Sequence, residues 1–487
     1  MDEEAVGQGH DAALWNEDLA PTDAQSRQWT WQSYAALWVA MVVCVPTYLL
    51  AGGLVSEGMN WWQAVLTVLL GNVIVLIPMM LIGHAGAKHG VPFPVLLRSS
   101  FGTVGARLPA LLRGLVACGW FGINTWVGGS AIYVMLNALT DGAFRGAALP
   151  FLGIDLAQAL SFLAFWASHL WFIRHGTESI RWLETLAAPF LLLMGLALLG
   201  WAYVNAGGFG EMLKAPSQFV AGGAKEGRFW PSFFIGLTAM VGFWATMALN
   251  IPDFTRFAKS QKHQMIGQAI GLPLPMALFA FIGVAVTSAT VKIYGEPVWD
   301  PVALAGKMGG FGVIVALAAL VLATLTTNLA ANVVAPAYGF SNLAPSKISF
   351  RMGGYITAGI GIAIFPWKLM ESAGTYLFTW LVGYSALLGP IAGILIVDYF
   401  LIRKTELDTD ALFRSDGVYG GHQGWNRAGL FALLFGALPS IPGFLAATRI
   451  VESVPGIFTT LYGYAWFVGA LTAGLLFWLF MNLRQGD

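Results

Sequence analysis

Long apolar runs alternate with short polar stretches along nearly the whole chain, and a bilayer-crossing helix needs about 20 mostly apolar residues. The pattern predicts twelve spans, near residues 33–56, 61–83, 107–138, 150–173, 183–205, 229–251, 266–291, 311–337, 353–367, 371–402, 428–447 and 457–482. The ninth is short. Residues 1–30 are polar and acidic, with Asp2, Glu3, Glu4, Asp11, Glu17 and Asp18, and lack the basic start and short apolar core of a signal peptide. They are expected to form a retained cytoplasmic tail.

Composition points the same way. Only 10% of residues are charged and 57% are hydrophobic, against about 25% charged in soluble domains. The 25 Lys+Arg balance 25 Asp+Glu and form no basic tract, which argues against a nucleic-acid partner. Cys44 and Cys118 lie in apolar runs and make no disulfide framework. With the N-terminus inside, sixteen Lys/Arg fall on inner segments and eight on outer loops. This bias predicts a multi-pass protein of the plasma or inner membrane with both termini cytoplasmic. Arg113, Glu184, Glu371 and Asp398 fall near expected span ends or loops, where snorkelling or an ion pair accommodates them. His84, His89, His169, His175 and His263 lack metal-ligand spacing, and no G-x-S-x-G, Walker A or H-E-x-x-H motif is present, so an enzyme is not expected. Nothing in the sequence signals an oligomer, and a monomer is expected.

Two runs carry breaks. Pro46 stands about halfway along span 1, where a missing N–H and a crowded carbonyl loosen the helix near Val42 and Val43. Span 6 carries Gly236 and Gly242 and ends at Pro252. Interruptions five spans apart suggest an inverted repeat around a midplane site; packing glycines and prolines common to membrane helices account for them equally well.

Polar residues at membrane depth sharpen this. In span 3, Trp120 and Asn124 are i and i+4 and share a face. The indole suits the face of a flat polar ring and the amide suits its edge, while an interfacial Trp beside an interhelical Asn fits as well. Trp244 follows the suspected span 6 break and is placed to cover a second ring face. In span 8, Ala323, Thr326 and Thr327 are i, i+3 and i+4, so one carbonyl and two hydroxyls can face one point. Carbonyls freed at Ala40 and Val43 would complete five neutral oxygens suited to Na⁺ rather than a divalent ion. The alternative is hydroxyls bonding back to their own helix. Asn332 lies further along span 8, within reach of a ring instead of the ion.

The sequence resembles the nucleobase:cation symporter-1 family from about Asn16 to the C-terminus. The likeness rests on Asn16-Glu17-Asp18-Leu19, Pro46-Thr47-Tyr48, the run Gly83–Pro94, Asn250-Ile251-Pro252-Asp253-Phe254-Thr255-Arg256-Phe257, Ala330-Ala331-Asn332, Pro366–Ser372, and Leu388-Gly389-Pro390 with Asp398-Tyr399-Phe400. It implies an all-α LeuT-type fold with five-plus-five inverted repeats and two additional C-terminal helices. The repeats would cover 31–205 and 229–402, joined by an extracellular loop at 206–228. A cytoplasmic loop at 403–427 would lead to the last two spans in 428–487. It further implies stacking by Trp120 and Trp244, ring-edge amides at Asn124 and Asn332, backbone polar groups at Phe243 and a bulky gate at Leu377. The implied sodium site is Ala40, Val43, Ala323, Thr326 and Thr327. Cys44 stands where related transporters often carry Gln or Asn, and a thiol is a poorer partner for a ring. The resemblance implies alternating-access import of a small planar cyclic ureide or nucleobase of allantoin, hydantoin or uracil type, with Na⁺ ahead of H⁺ as coupling ion. The alternatives are a proton-coupled importer of cytosine or a purine, and an uncoupled facilitator.

Overall fold

The computed structural model describes residues 9–175, 177–308 and 311–485. Among these residues the chain is helical, with two isolated bridges, Trp29–Ala258 and His422–Trp425. Among the described residues eight helices are long and apolar enough to cross a membrane, and ten if each of two bent pairs counts as one span.

Span 1 is the bent pair Trp31–Val42 and Val45–Ser56, and span 6 the bent pair Phe229–Phe243 and Ala245–Thr255. Spans 2, 3 and 4 are Trp61–His89, Arg107–Leu139 and Leu156–His175; span 7 is Gln261–Tyr294, span 8 Gly312–Leu343 and span 10 Thr375–Ile402. Arg427–Ala447 and Ala465–Leu483 follow as spans 11 and 12. The expected count of twelve is not reached by length and composition. Span 5 lies in the helix Thr177–Ala206, whose described apolar part is Leu192–Ala206. Span 9 is the 14-residue helix Phe350–Ala363, which stops before Phe365 in the left-handed region and a turn at Pro366–Leu369.

Packing sorts the helices into two bodies. Spans 1, 2, 6 and 7 pack on one another, and so do spans 3, 4, 8 and 9. Span 5 touches spans 7 and 8, and span 10 joins span 6 to span 12. The first two helices of each half thus share one body and the next two share the other, the grouping a five-plus-five repeat produces. Lipid supplies no hydrophobic drive between helices, so close backbone approach does much of the work. At Gly389 a methyl group would sit 2.5 Å from the Trp466 carbonyl, and at Gly393 it would collide with the Ala470 carbonyl, seating span 10 on span 12.

The N-terminal segment does not trail free. From Gly9 onward it packs on one end of the helical body, because Leu14, Trp15 and Leu19 are apolar and become buried. The Asp11 N–H donates to the Phe413 carbonyl at 2.9 Å, and Asn16 Nδ2 to the Ser341 hydroxyl at 3.0 Å. Two of the four charges expected near ends or loops are fully enclosed. Asp398 accepts from the Ser99 and Ser100 hydroxyls at 2.8 Å each and pairs with Arg403 at 2.9 Å. Arg113 does not snorkel. Its side chain turns into the helix assembly and is 2% exposed. Glu371 is exposed beside the Pro366 turn, and the Glu184 side chain lies outside the described residues.

Candidate substrate and ion site

The span 1 break falls at Val43 and Cys44, one residue later than Pro46 alone suggested, and bends the helix by 58°. Pro46 sits in the first turn of the second half, where its missing N–H leaves no donor unpaired. The hydrogen bonds around it are displaced. The Cys44 N–H, which in an unbroken helix would reach the Ala40 carbonyl, donates to Val42 O at 3.0 Å. The Thr47 N–H, the usual partner of the Val43 carbonyl, donates to Cys44 O at 3.2 Å. Ala40 and Val43 therefore lose their helical donors, as the sequence argument anticipated. Cys44 caps the second half and its Sγ lies 3.3 Å from the Thr47 hydroxyl.

The span 6 break is a single residue, Trp244, and bends the helix by 40°. None of Gly236, Gly242 and Pro252 marks it directly. Gly242 instead permits close packing. A methyl group there would meet the Ser385 hydroxyl and lie 2.8 Å from Leu381 O on span 10. The Gly242 carbonyl accepts the Trp244 N–H and also the Tyr384 hydroxyl at 2.8 Å.

Trp120, Phe243 and Trp244 form one buried aromatic cluster. The Phe243 ring stands edge-on between the two indoles, with centroids 5.3 Å from Trp120 and 4.9 Å from Trp244. Trp244 meets Trp38 of span 1 edge-on at 5.1 Å. From span 10, Tyr376, Trp380 and Tyr384 approach Trp120 at 6.1, 6.1 and 6.4 Å. Gly119 makes room for this, since any side chain there would strike the Trp380 ring. Sequence reasoning did not single out Trp38, Tyr376, Trp380 or Tyr384. The spacing i, i+4, i+8 of the last three was the available signal. Leu377 is buried at the start of span 10 in a π-helical turn, Thr375–Leu381, and faces Gly53 of span 1.

Both amides are buried on facing helices. Asn124 Nδ2 donates to the Trp120 carbonyl at 3.0 Å, and Asn124 Oδ1 is enclosed without a partner. The indole Nε1 atoms of Trp120 and Trp244 are likewise enclosed donors without a partner. Asn332 Nδ2 donates to Asn328 Oδ1 at 3.0 Å. Unpaired polar atoms in a dry interior cost about 1–3 kcal/mol each, and three of them, Asn124 Oδ1 and the two indole nitrogens, belong to the Trp120 turn and the span 6 break.

The residues implied for sodium come from spans 1 and 8. Val43, Cys44 and Ala323 line one cavity of about 280 Å³ bounded by spans 1, 5, 7 and 8, so the structure brings the span 1 break to the Ala323 turn. Thr326 Oγ1 donates to the Ala323 carbonyl at 2.8 Å. The back-bonding alternative is therefore what this hydroxyl adopts, though its oxygen keeps its lone pairs for a cation. Thr327 is partly buried one residue on. Among the described residues no group of three His, Cys, Asp or Glu side chains could hold a metal ion. An ion here would be held by neutral oxygens, which suits an alkali cation.

Comparison with known proteins adds an independent line. Residues 21–469 match the model of a family described as permease for cytosine/purines, uracil, thiamine, allantoin. The chain is 45% identical over 475 residues to the purine-uracil permease NCS1 of Arabidopsis thaliana, covering 97% of this chain and 78% of that one. It is 40% identical over 474 residues to the allantoin permease of Bacillus subtilis, covering 97% and 94%. Among solved structures it is similar to Mhp1 in an inward-facing conformation, with TM-score 0.79 and 27% identity over 98% of this chain and 96% of that one. The closed form of Mhp1, a nucleobase-cation-symport-1 family transporter with bromovinylhydantoin bound, gives 0.75 and 26% over 96% of each chain.

Proposed function

We propose, from the premise that this chain belongs to the family of permeases for cytosine/purines, uracil, thiamine and allantoin, that it imports a small planar cyclic ureide or nucleobase of allantoin, hydantoin or uracil type together with Na⁺. It is a multi-pass membrane transporter and not an enzyme. The observation that carries the substrate reading is the buried cluster of Trp120, Phe243 and Trp244 at the span 6 break, ringed by unpaired donors and acceptors. A flat ring that enters this cluster is stacked by indole and met at its edge by Asn124 and Asn332. Stacking contributes about 1–3 kcal/mol per ring.

The ion reading rests on the carbonyls of Ala40 and Val43, released from their helical partners, and on the neighbouring turn of Ala323, Thr326 and Thr327. Na⁺ bound there joins span 1 to span 8, one helix from each packing body. It thereby holds the break in the shape that receives the ring. Each positive charge moved inward releases about 2.3 kcal/mol per 100 mV of inside-negative potential. Rocking of one body against the other exposes the site to each side in turn. Leu377 screens it from the side of span 10, and Cys44 leaves the span 1 edge of the ring with a weak partner. The termini lie on the cytoplasmic side, following the loop-charge bias.

Uptake into proteoliposomes tests this. Hydantoin, allantoin, uracil, cytosine and hypoxanthine are offered with an inward Na⁺ gradient, an inward H⁺ gradient, or neither. The expected result is accumulation of one ureide or uracil-type ring above its outside concentration under the Na⁺ gradient. Equilibration without accumulation under every gradient would replace the reading with a facilitator, and accumulation under H⁺ alone would replace the ion.

A further inference from the structure

A buried chain of side chains runs from the candidate ring-edge residue Asn332 out to span 4, and the orientation of each amide in it is set by its partners. It begins at His169, fully buried on span 4. His169 Nδ1 lies 2.9 Å from the Phe165 carbonyl. A carbonyl only accepts, so Nδ1 carries the proton and the neutral ring presents Nε2 as an acceptor. The atom facing Nε2 at 3.0 Å must then be the amide nitrogen of Asn328. Two further acceptors agree: the same nitrogen lies 3.0 Å from the Phe121 carbonyl and 3.2 Å from Thr125 Oγ1, whose own proton goes to Phe121 O at 2.7 Å. Asn328 therefore turns its oxygen toward Asn332, and Asn332 answers with its nitrogen at 3.0 Å. What remains of the Asn332 amide is its oxygen, at the end turned away from Asn328, and the second N–H beside the anchored nitrogen.

The relay also sets where that oxygen stands. Asn328 bonds to Phe121 and Thr125, while Gly339, eleven residues further on, approaches Ala110. Spans 3 and 8 thus run antiparallel. Asn332, one helical turn beyond Asn328, comes level with the Trp120 turn. Asn124 has the same orientation, one N–H given to Trp120 O and its oxygen unpaired.

We infer that Asn328 and His169 are positioning residues that hold the Asn332 amide with its nitrogen against Asn328 and its oxygen at the free end, so that the site selects rings offering N–H to that oxygen, the imide N–H of uracil and hydantoin type, over rings presenting a bare ring nitrogen there, as cytosine does. This rests on the proposed substrate reading and deepens it. Uracil and cytosine differ little in size and shape, so discrimination between them reports polarity and not fit. A ring nitrogen lone pair placed against a fixed carbonyl oxygen loses a hydrogen bond and gains a repulsion. At about 1.4 kcal/mol per factor of ten, wild-type protein should favour uracil by about tenfold or more.

The experiment measures binding of uracil and cytosine to the purified, Na⁺-saturated full chain, for wild type, Asn328→Leu, His169→Phe and His169→Gln, with the melting temperature of each. In Asn328→Leu the Asn332 amide is free to turn over, and the uracil preference should fall to about threefold or less. His169→Phe removes one of three acceptors and should lower the preference by about threefold. His169→Gln places an amide oxygen where Nε2 stood and should keep the wild-type ratio. Should Asn328→Leu fail to fold, the two His169 variants carry the comparison. Loss of stability with an unchanged uracil-to-cytosine ratio would reduce the relay to scaffolding and overturn the inference while leaving the substrate reading intact. A wild type that favours cytosine overturns the inference, and one that in the same assay binds none of uracil, cytosine, hydantoin and allantoin overturns both.

Discussion

The two broken helices solve the same problem in opposite ways. At span 1 the chain interrupts two residues, bends by 58° and leaves the Ala40 and Val43 carbonyls without their helical donors. At span 6 it interrupts one residue, bends by 40° and ties the neighbouring Gly242 carbonyl to the Tyr384 hydroxyl. Backbone polar groups at membrane depth must find partners. Span 6 finds one within the protein and so is fixed to span 10. Span 1 leaves the Ala40 and Val43 oxygens without their helical donors. Under the proposed function the ring belongs to the stitched break, where a rigid wall matters, and the ion to the open break, where the ligand itself completes the structure.

Four experiments bear on that division. Trp120→Ala should have the largest effect, weakening binding of every flat substrate by about 10- to 100-fold, read by substrate titration at saturating Na⁺. Its Na⁺ affinity measured without substrate should stay at the wild-type value; an equal fall would merge the two sites into one. Thr327→Ala should do the reverse, raising the Na⁺ concentration for half-maximal uptake by about tenfold with ring affinity at saturating Na⁺ little changed. Tyr384→Phe removes the stitch at Gly242 and should cost about 1 kcal/mol, roughly fivefold in substrate affinity. A shift in Na⁺ affinity instead would show the stitched break serving the ion. Cys44→Asn should have the smallest effect, within about threefold for any one ring, and a competition panel should show a reordered preference among rings. An unchanged order would place Cys44 away from the ring.

Much of this architecture was legible because membrane helices announce themselves by length and apolarity. The span 1 break was legible for a comparable reason, since Pro46 changes the backbone whatever surrounds it. The span 6 break was not located as well. At the turn before Trp244, Ser385 and Leu381 of span 10 close on Gly242, and the sequence of span 6 does not name those partners. Trp120, Asn124 and Trp244 were singled out by type and position, while Tyr376, Trp380 and Tyr384 were lost among the aromatic residues that make up 14% of the chain. Asn328 went unmarked because its importance lies in partners on two other helices. Arg113 was misjudged for a related reason. A long basic side chain near a span end is expected to reach water, and only tertiary packing shows that this one is enclosed. In the N-terminal segment, Leu14, Trp15 and Leu19 were the overlooked sign of docking within an otherwise polar stretch.

The short helix Phe350–Ala363 carries a consequence for the surroundings of the protein. Fourteen residues at about 1.5 Å each extend roughly 21 Å, against about 30 Å for an average hydrocarbon core. The bilayer must dimple where this helix meets it, and the depth of the dimple depends on acyl-chain length. Because span 9 belongs to the same packing body as spans 3 and 8, thickness of the host membrane becomes a mechanical load on the half of the transporter that carries Trp120 and Asn332. Turnover should therefore rise as the lipid chains around it are shortened toward that reach.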